Sequence, residues 1–344
     1  MNLRASLPRF AFTLLLAAAP SFCAAQAYTV TDLGLLSGGN ESDANAINAT
    51  GRITGLANSG VDFDVFRYSN GAMSNLGTLG GKVGSGNAIN ASGQVAGYST
   101  NATTYRAFIS SAGTRGGTLT DIGDLGGGSA VAYGINDSGQ VVGSSVTLDG
   151  SNHPFLYSDG VMTDLGTLGS PAGTDWWNVA QAINNSGTVT GTSYDADGNF
   201  LAFTWSNGAM TAMGTLGGSW SQGFAINNKG QVTGLAYLKN NTEAHAFLAT
   251  KGVLKDLGTI AGNFSTTWGF AINDSGVVVG QSTYPSGYHA FIYSNGKIQD
   301  LNNLIPTGSG WVLEQANGIN NAGQIVGDGT LNGQPRGFLL TPVK

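Results

Sequence analysis

A chain of 344 residues with 55 glycines, one cysteine and a formal charge of −6 is long enough for a large core. It holds too little positive charge to take a nucleic acid or an anionic membrane as its partner. Charged residues make up 10% of the chain, against about 25% in ordinary domains, so a chain this rich in Gly, Asn, Ser and Thr is either disordered or a sheet protein with many turns.

The first 27 residues read as a signal peptide. Arg4 and Arg9 form a basic n-region, Phe10 to Ala19 an apolar core, and Ala25-Gln26-Ala27 a small-x-small cleavage site. The apolar run is too short for a permanent membrane helix. Cys23 follows Phe22 where a lipoprotein signal needs a small residue, so a lipid anchor is not expected. Cleavage after Ala27 leaves no cysteine, and packing alone must hold the mature chain together. With Arg4 and Arg9 set aside, the 14 basic residues fall to 12 against 20 acidic, a net charge near −8.

From Tyr28 onward one unit repeats. An Ile-Asn pair followed by a Gly turn recurs seven times, with Ile at 47, 89, 135, 183, 226, 272 and 319. The period is about 45 residues, in the range of propeller blades. Each unit reads as four short strands. The first ends in Ala/Gly-Ile-Asn and turns through Asn136-Asp137-Ser138-Gly139 or its equivalent. The second resembles Gln140-Val141-Val142-Gly143, and the third centres on Ala-Phe, as in Ala290-Phe291. A Ser-Asn-Gly turn leads to a fourth, such as Met162 to Leu168. Asn opens such turns by bonding the backbone, and Gly closes them because positive φ costs it little.

The ends of the chain distinguish a ring from a linear stack. The repeat region opens with an unpartnered fourth strand, Tyr28 to Gly34, and closes on an unpartnered third, Arg336 to Leu340. Together they complete one unit, which a ring requires and a solenoid does not. The expected fold is all-β: a single seven-bladed propeller over 28–344, four antiparallel strands per blade, with the N-terminal strand pairing onto the C-terminal blade.

The combination of Tyr-x-Val-Thr-Asp-Leu-Gly (28 to 34), Gly-Ile-Asn-Asp-Ser-Gly-Gln-Val-Val-Gly (134 to 143) and His-Ala-Phe (245 to 247, 289 to 291) resembles the HAF-repeat family of extracellular bacterial proteins. The resemblance covers essentially the whole chain after Ala27. It implies export and a repeat fold, and it brings no catalytic residues. Some members end in a sorting tail with a second hydrophobic helix; the ending Thr341 to Lys344 is not of that kind, and sorting by that route is not expected.

The three histidines occupy one repeat position, two residues before the third-strand Phe. His153, His245 and His289 each have an acid eleven residues on: Asp164, Asp256 and Asp300. Elsewhere Arg106 matches Asp121, Leu201 matches Ala212, Asp64 matches Asn75, and Arg336 finds Asp32 of the N-terminal strand. Basic residues meet Asp and an acid avoids another acid, as contact across a hairpin requires. His–Asp pairs also serve catalysis, but the sequence shows no nucleophile beside them, so a structural role is expected.

A four-strand meander puts the short Gly turns on one face of the ring and the variable loops on the other, where function is expected. Trp176, Trp177, Trp220, Trp268 and Trp311 read as parts of the inter-blade connections on that face. Tyr105, Tyr194, Tyr237, Tyr284 and Tyr288 read as loop residues beside them. Aromatic faces of this kind stack on sugars and anchor interfaces, and Asp175, Glu243 and Glu314 offer hydrogen bonds to hydroxyls. Packing between blades is the alternative for each Trp. The expected function is a secreted or periplasmic binding or scaffold module for an extracellular glycan, peptide or protein. It is expected to be monomeric, with no cofactor and no contact with nucleic acid or membrane. The alternative is an extracellular polysaccharide lyase or glycosidase on the same face. Asp195-Ala-Asp197-Gly198-Asn199 has partial calcium-loop spacing without the later Glu, and reads as a solvated loop.

Overall fold

The computed structural model describes residues 27–101, 104–170, 177–239, 241–262 and 265–343. The signal-peptide reading of residues 1–27 lies outside them except for Ala27. Seven four-stranded antiparallel sheets, each in strand order 1-2-3-4, form the seven blades of a propeller. The blades span 42–77, 84–121, 126–164, 179–212, 217–256, 267–300, and 311–342 with the strand Tyr28–Asp32. That N-terminal strand is the outermost of the seventh blade, and its register runs from Tyr28 opposite Pro342 to Asp32 opposite Phe338. The ring is therefore closed by the two ends of the repeat region. The 3₁₀ turn Leu301–Leu304 interrupts the all-β pattern.

Two strand readings need correction. Outside the first blade, fourth strands are shorter than expected and stop at the position of the paired Asp (Ala212 in the fourth blade), as in Val161–Asp164. The Asp164 side chain accepts the backbone N–H of Gly166 at 2.8 Å, which turns the chain away from the ladder. The first strands, in contrast, begin early enough to absorb Trp220, Trp268 and Trp311, which were expected in connections.

Each innermost strand carries a bulge at the same place. Asn45, Asn87, Tyr133, Gln181, Phe224, Phe270 and Asn317 are the extra residues where the register slips. The bulge brings a first-strand carbonyl over the second strand, and this explains the Gly that ends every Val-Val-Gly-like motif. A Cβ on Gly143, Gly234 or Gly280 would collide with the carbonyl oxygen of Val131, Gln222 or Trp268. The space beyond that Gly is filled by the third-strand Phe opposite it, for example Gly234 opposite Phe247. All seven of these, Phe66, Phe108, Phe155, Phe203, Phe247, Phe291 and Phe338, have no exposed surface. Each such Phe stabilises the fold by about 1.5–3 kcal/mol of transfer free energy.

The Ile-Asn turns are tied into a belt. The Asn48 side-chain amide donates to the carbonyl of Asn90 at 2.8 Å, and the same bond repeats from blade to blade until Asn320 donates back to Asn48 at 3.1 Å. The other amide atom, Oδ1, holds the turn of its own blade. In Asn227 it accepts the N–H of Lys229 at 3.0 Å and of Gln231 at 2.9 Å. All seven asparagines are buried, so both halves of the amide need their partners.

This division of labour is testable. Asn227→Asp keeps the oxygen that holds the turn but replaces the donor with an acceptor facing the Asn273 carbonyl. It should lower stability by about 1–3 kcal/mol at neutral pH, with recovery as the new carboxyl protonates. Chemical denaturation at pH 7 and pH 4 checks it, and an unchanged midpoint at pH 7 would show that the belt carries no stability.

Candidate functional site

The charged pairs predicted across the hairpins form, and one of them is part of the site. His153 Nδ1 lies 2.8 Å from Asp164, His245 Nδ1 2.9 Å from Asp256, and His289 Nδ1 2.6 Å from Asp300. Arg106 Nε is 2.8 Å from Asp121, and Asn75 donates to Asp64 at 2.7 Å. The closing pair is looser: Arg336 Nε is 3.9 Å from Asp32, and its Nη1 donates to the Asn40 carbonyl instead. In each histidine pair the acid works twice, since its second function is to accept the N–H that ends the fourth strand. Burial acts to raise the Asp256 carboxyl, but hydrogen bonds from His245 and the Gly258 N–H outweigh it and hold it below the usual carboxylate range.

The three blades are not equivalent. The Asp164 and Asp256 side chains are each 41% exposed, whereas Asp300 is 9% exposed. Asp300 also caps the 3₁₀ turn, accepting the N–H of Asn302 at 2.8 Å. Asn302 in turn clamps the seventh blade, donating to the Leu313 carbonyl at 2.9 Å and accepting its N–H at 2.8 Å.

Above this base the sixth blade closes a tight hairpin, Tyr284-Pro285-Ser286-Gly287, in which Tyr284 pairs with Gly287. Proline suits the second position of such a turn, and Gly287 takes φ +136°. The hairpin lays the Tyr284 ring flat on His289, with ring centroids 4.0 Å apart and planes 13° from parallel. It also returns Ser286 to His289, Oγ 3.3 Å from Nε2. No hydroxyl is evident beside the His–Asp pairs in the sequence; for His289 the structure places one there. Ser286 was hidden because a Pro-Ser-Gly turn needs no further explanation than the turn itself.

A groove of about 490 Å³ opens between the sixth and seventh blades at this point, lined by Ser286, Gly287, Tyr288, His289, Asn302, Trp311, Val312 and Glu314. Glu314 reaches it because the seventh blade has a second bulge, between Leu313 and Gln315. Tyr288 is 48% exposed and backed edge-on by Trp268. Trp311 packs edge-on against the buried Phe338 and leaves part of its indole open.

The remaining tryptophans have different surroundings. Trp220 is half-buried in an aromatic cluster, 5.3 Å from Phe200 and 5.0 Å from Tyr237. Trp177 is 63% exposed and stands apart from the groove residues. Trp176 and Asp175 lie outside the described residues. The loop at Asp195 is an Asx-type turn, in which Asp195 accepts the N–H groups of Asp197 and Asn199.

A second feature had no signal in the sequence. Asp328 of the seventh blade and Asp43 of the first face each other across the seam where the ring closes, with Glu314 and Glu41 nearby. Burial, then the charge of Asp43, pushes Asp328 up to about 7, although Asn317 donates to it at 2.7 Å. Burial, then Glu41, pushes Asp43 up to about 6.

No family model matches the sequence, and no curated protein matches it. Solved structures do. The β-propeller domain of the Trilobed protease from Pyrococcus furiosus aligns with a TM-score of 0.55 at 9% identity, over 92% of this chain and 98% of that one. Its propeller is described as having an open velcro topology, whereas here Tyr28–Asp32 closes the last blade. Streptogramin B lyase aligns with a TM-score of 0.52 at 11% identity, over 92% and 98% of the two chains. TolB from Acinetobacter baumannii gives 0.47 at 11% identity; the match covers 86% of this chain but 64% of TolB, so this chain spans under two-thirds of that protein. At these identities the likeness shows the propeller fold alone.

The raised carboxyls give a pH prediction. A carboxyl whose folded pKa exceeds its unfolded value of about 3.9 contributes its full stability below that value and loses it as pH rises through the folded one. Asp328→Asn keeps an oxygen for the Asn317 amide and removes the buried charge. It should stabilise the protein by about 1–3 kcal/mol at pH 8, with the gain vanishing by pH 4. Thermal unfolding at the two pH values measures this, and an equal gain at both would mean the charge is not the cause.

Proposed function

We propose that the protein is exported and acts as a binding module, and that the groove between the sixth and seventh blades takes a carbohydrate. The observation that carries this reading is the pairing of two accessible aromatic rings, Tyr288 and Trp311, on one groove with the Glu314 carboxylate and the His289 ring. Sugar rings present an apolar C–H face and a rim of hydroxyls. Aromatic planes suit the first, and a carboxylate and an imidazole nitrogen suit the second. The support beneath is stiff: Trp268 backs Tyr288, Phe338 backs Trp311, and the Asp300–Asn302–Leu313 contacts fix the two blades relative to each other. A site held this way loses little freedom on binding.

Screening the purified protein on a glycan array and titrating the best ligand tests the reading. Tyr288→Ala should weaken binding by about 1–3 kcal/mol with little change in melting temperature, and Trp311→Ala should weaken it as much while also lowering stability, because the indole packs on Phe338. Trp220→Ala provides the contrast: its indole packs on Phe200 and Tyr237, so it should cost about 3–5 kcal/mol of folding stability and leave affinity in the folded fraction unchanged. Glycan binding that survives both groove substitutions would overturn the assignment.

A further inference from the structure

We propose that Ser286, His289 and Asp300 form a nucleophilic triad that hydrolyses acyl esters carried by the sugar in the groove. The connectivity is that of an acyl-transfer centre: hydroxyl to one ring nitrogen, carboxylate to the other. An ionised carboxylate only accepts hydrogen bonds, so His289 Nδ1, 2.6 Å from Asp300, carries the proton. The neutral ring then presents a lone pair at Nε2, where the Ser286 hydroxyl sits 3.3 Å away. That distance is long for a hydrogen bond and ordinary for a triad with nothing bound.

Three features separate this blade from the two that share its His–Asp pair. Asp300 is the most buried of the three acids, so it stabilises an imidazolium through a less screened field. Tyr284 stacks flat on the His289 ring and fixes its plane. The serine opens onto a groove large enough for a substrate, lined by the further donors Tyr288 O–H and Trp311 N–H.

In the reaction, Ser286 Oγ bonds to the ester carbonyl carbon as its proton passes to His289 Nε2. The carbon–oxygen bond to the sugar breaks, and the sugar oxygen leaves with that proton. Water then gives a proton to the same nitrogen as it attacks the acyl-serine, and Ser286 departs with the proton restored. Water is the only co-reactant, and nothing is oxidised or reduced. Asp300 is a positioning residue, since it acts through the ring.

The substrate class rests on the carbohydrate reading above; the triad itself does not. The protein expressed from its full-length chain is treated with a fluorophosphonate probe, the modified peptide is identified by mass spectrometry, and acetate release from acetylated xylan is followed in parallel. A single adduct on Ser286 is expected, absent in Ser286→Ala. The labelling rate should fall about 10³-fold in His289→Ala. In Asp300→Asn it should fall and shift its pH dependence, which a merely structural loss would not do. Ser286 is exposed on a turn, so Ser286→Ala should melt as the parent does. A folded protein with no adduct at Ser286 between pH 6 and pH 9 overturns the triad. Labelling without acetate release overturns the acylated-sugar substrate, and labelling that survives Trp311→Ala while glycan binding is lost supports both readings.

Discussion

The structure depends first on a buried amide used from both ends. In each blade the Asn after Ile keeps its Oδ1 for its own turn and sends its Nδ2 to the next blade. A buried donor or acceptor left alone costs about 1–3 kcal/mol, so each turn is stable only if its neighbour is in place. Seven such dependences arranged in a circle leave no end residue unsatisfied. An open arc of the same units would leave a side-chain amide without its acceptor at one end and a backbone carbonyl without its donor at the other, and this is why closure by the strand Tyr28–Asp32 matters at the centre of the ring as well as at its rim.

The belt works because the innermost strand is bulged. The extra residue pulls a carbonyl across the second strand, which forces Gly at the crossing, and the Gly admits the third-strand Phe. Bulge, glycine and phenylalanine are therefore one unit of packing spread over three strands, not three separate preferences. The bulged side chains themselves reach towards the next blade: Asn45 donates to Ser85 and Gly86, Asn87 to Ala132, and Phe224 meets Phe270. Polar and aromatic choices at that position are both tolerated, because the backbone geometry fixes the bulge and the side chain only has to fill the gap between blades.

Much of this was legible in the sequence, for a physical reason. A repeat multiplies every local signal by seven, so period, strand count and turn positions stand out, and the split unit at the ends identifies the ring. The His–Asp and Arg–Asp pairs were legible because opposite charges had to change together. What stayed hidden was whatever needed the third dimension. The bulge leaves no residue signature, since Asn, Tyr, Gln and Phe all occupy it. The Asp43–Asp328 contact joins residues at opposite ends of the chain through the closing seam. Trp220, Trp268 and Trp311 vary in distance from their Ile-Asn, so the sequence could place them on a face but could not tell that one is packed in a cluster, one backs Tyr288 and one lines a groove.

The site illustrates how a symmetric scaffold acquires a function. Seven equivalent blades offer seven equivalent surfaces, and nothing in the repeat distinguishes one from another. The sixth blade departs in two places at once. Its second-to-third turn, as short as those of the first and seventh blades, is Pro285-Ser286, which folds a hydroxyl and the Tyr284 ring back onto His289. Its fourth strand passes into the 3₁₀ turn at Leu301–Leu304, which buries Asp300 and clamps the seventh blade. The His–Asp contact that braces hairpins in the third and fifth blades is thereby given a covered ring, a buried acid and a neighbour on its free nitrogen. The pair is the one found in the other two blades; what differs is its surroundings, which set it on a groove with a serine hydroxyl at its free nitrogen.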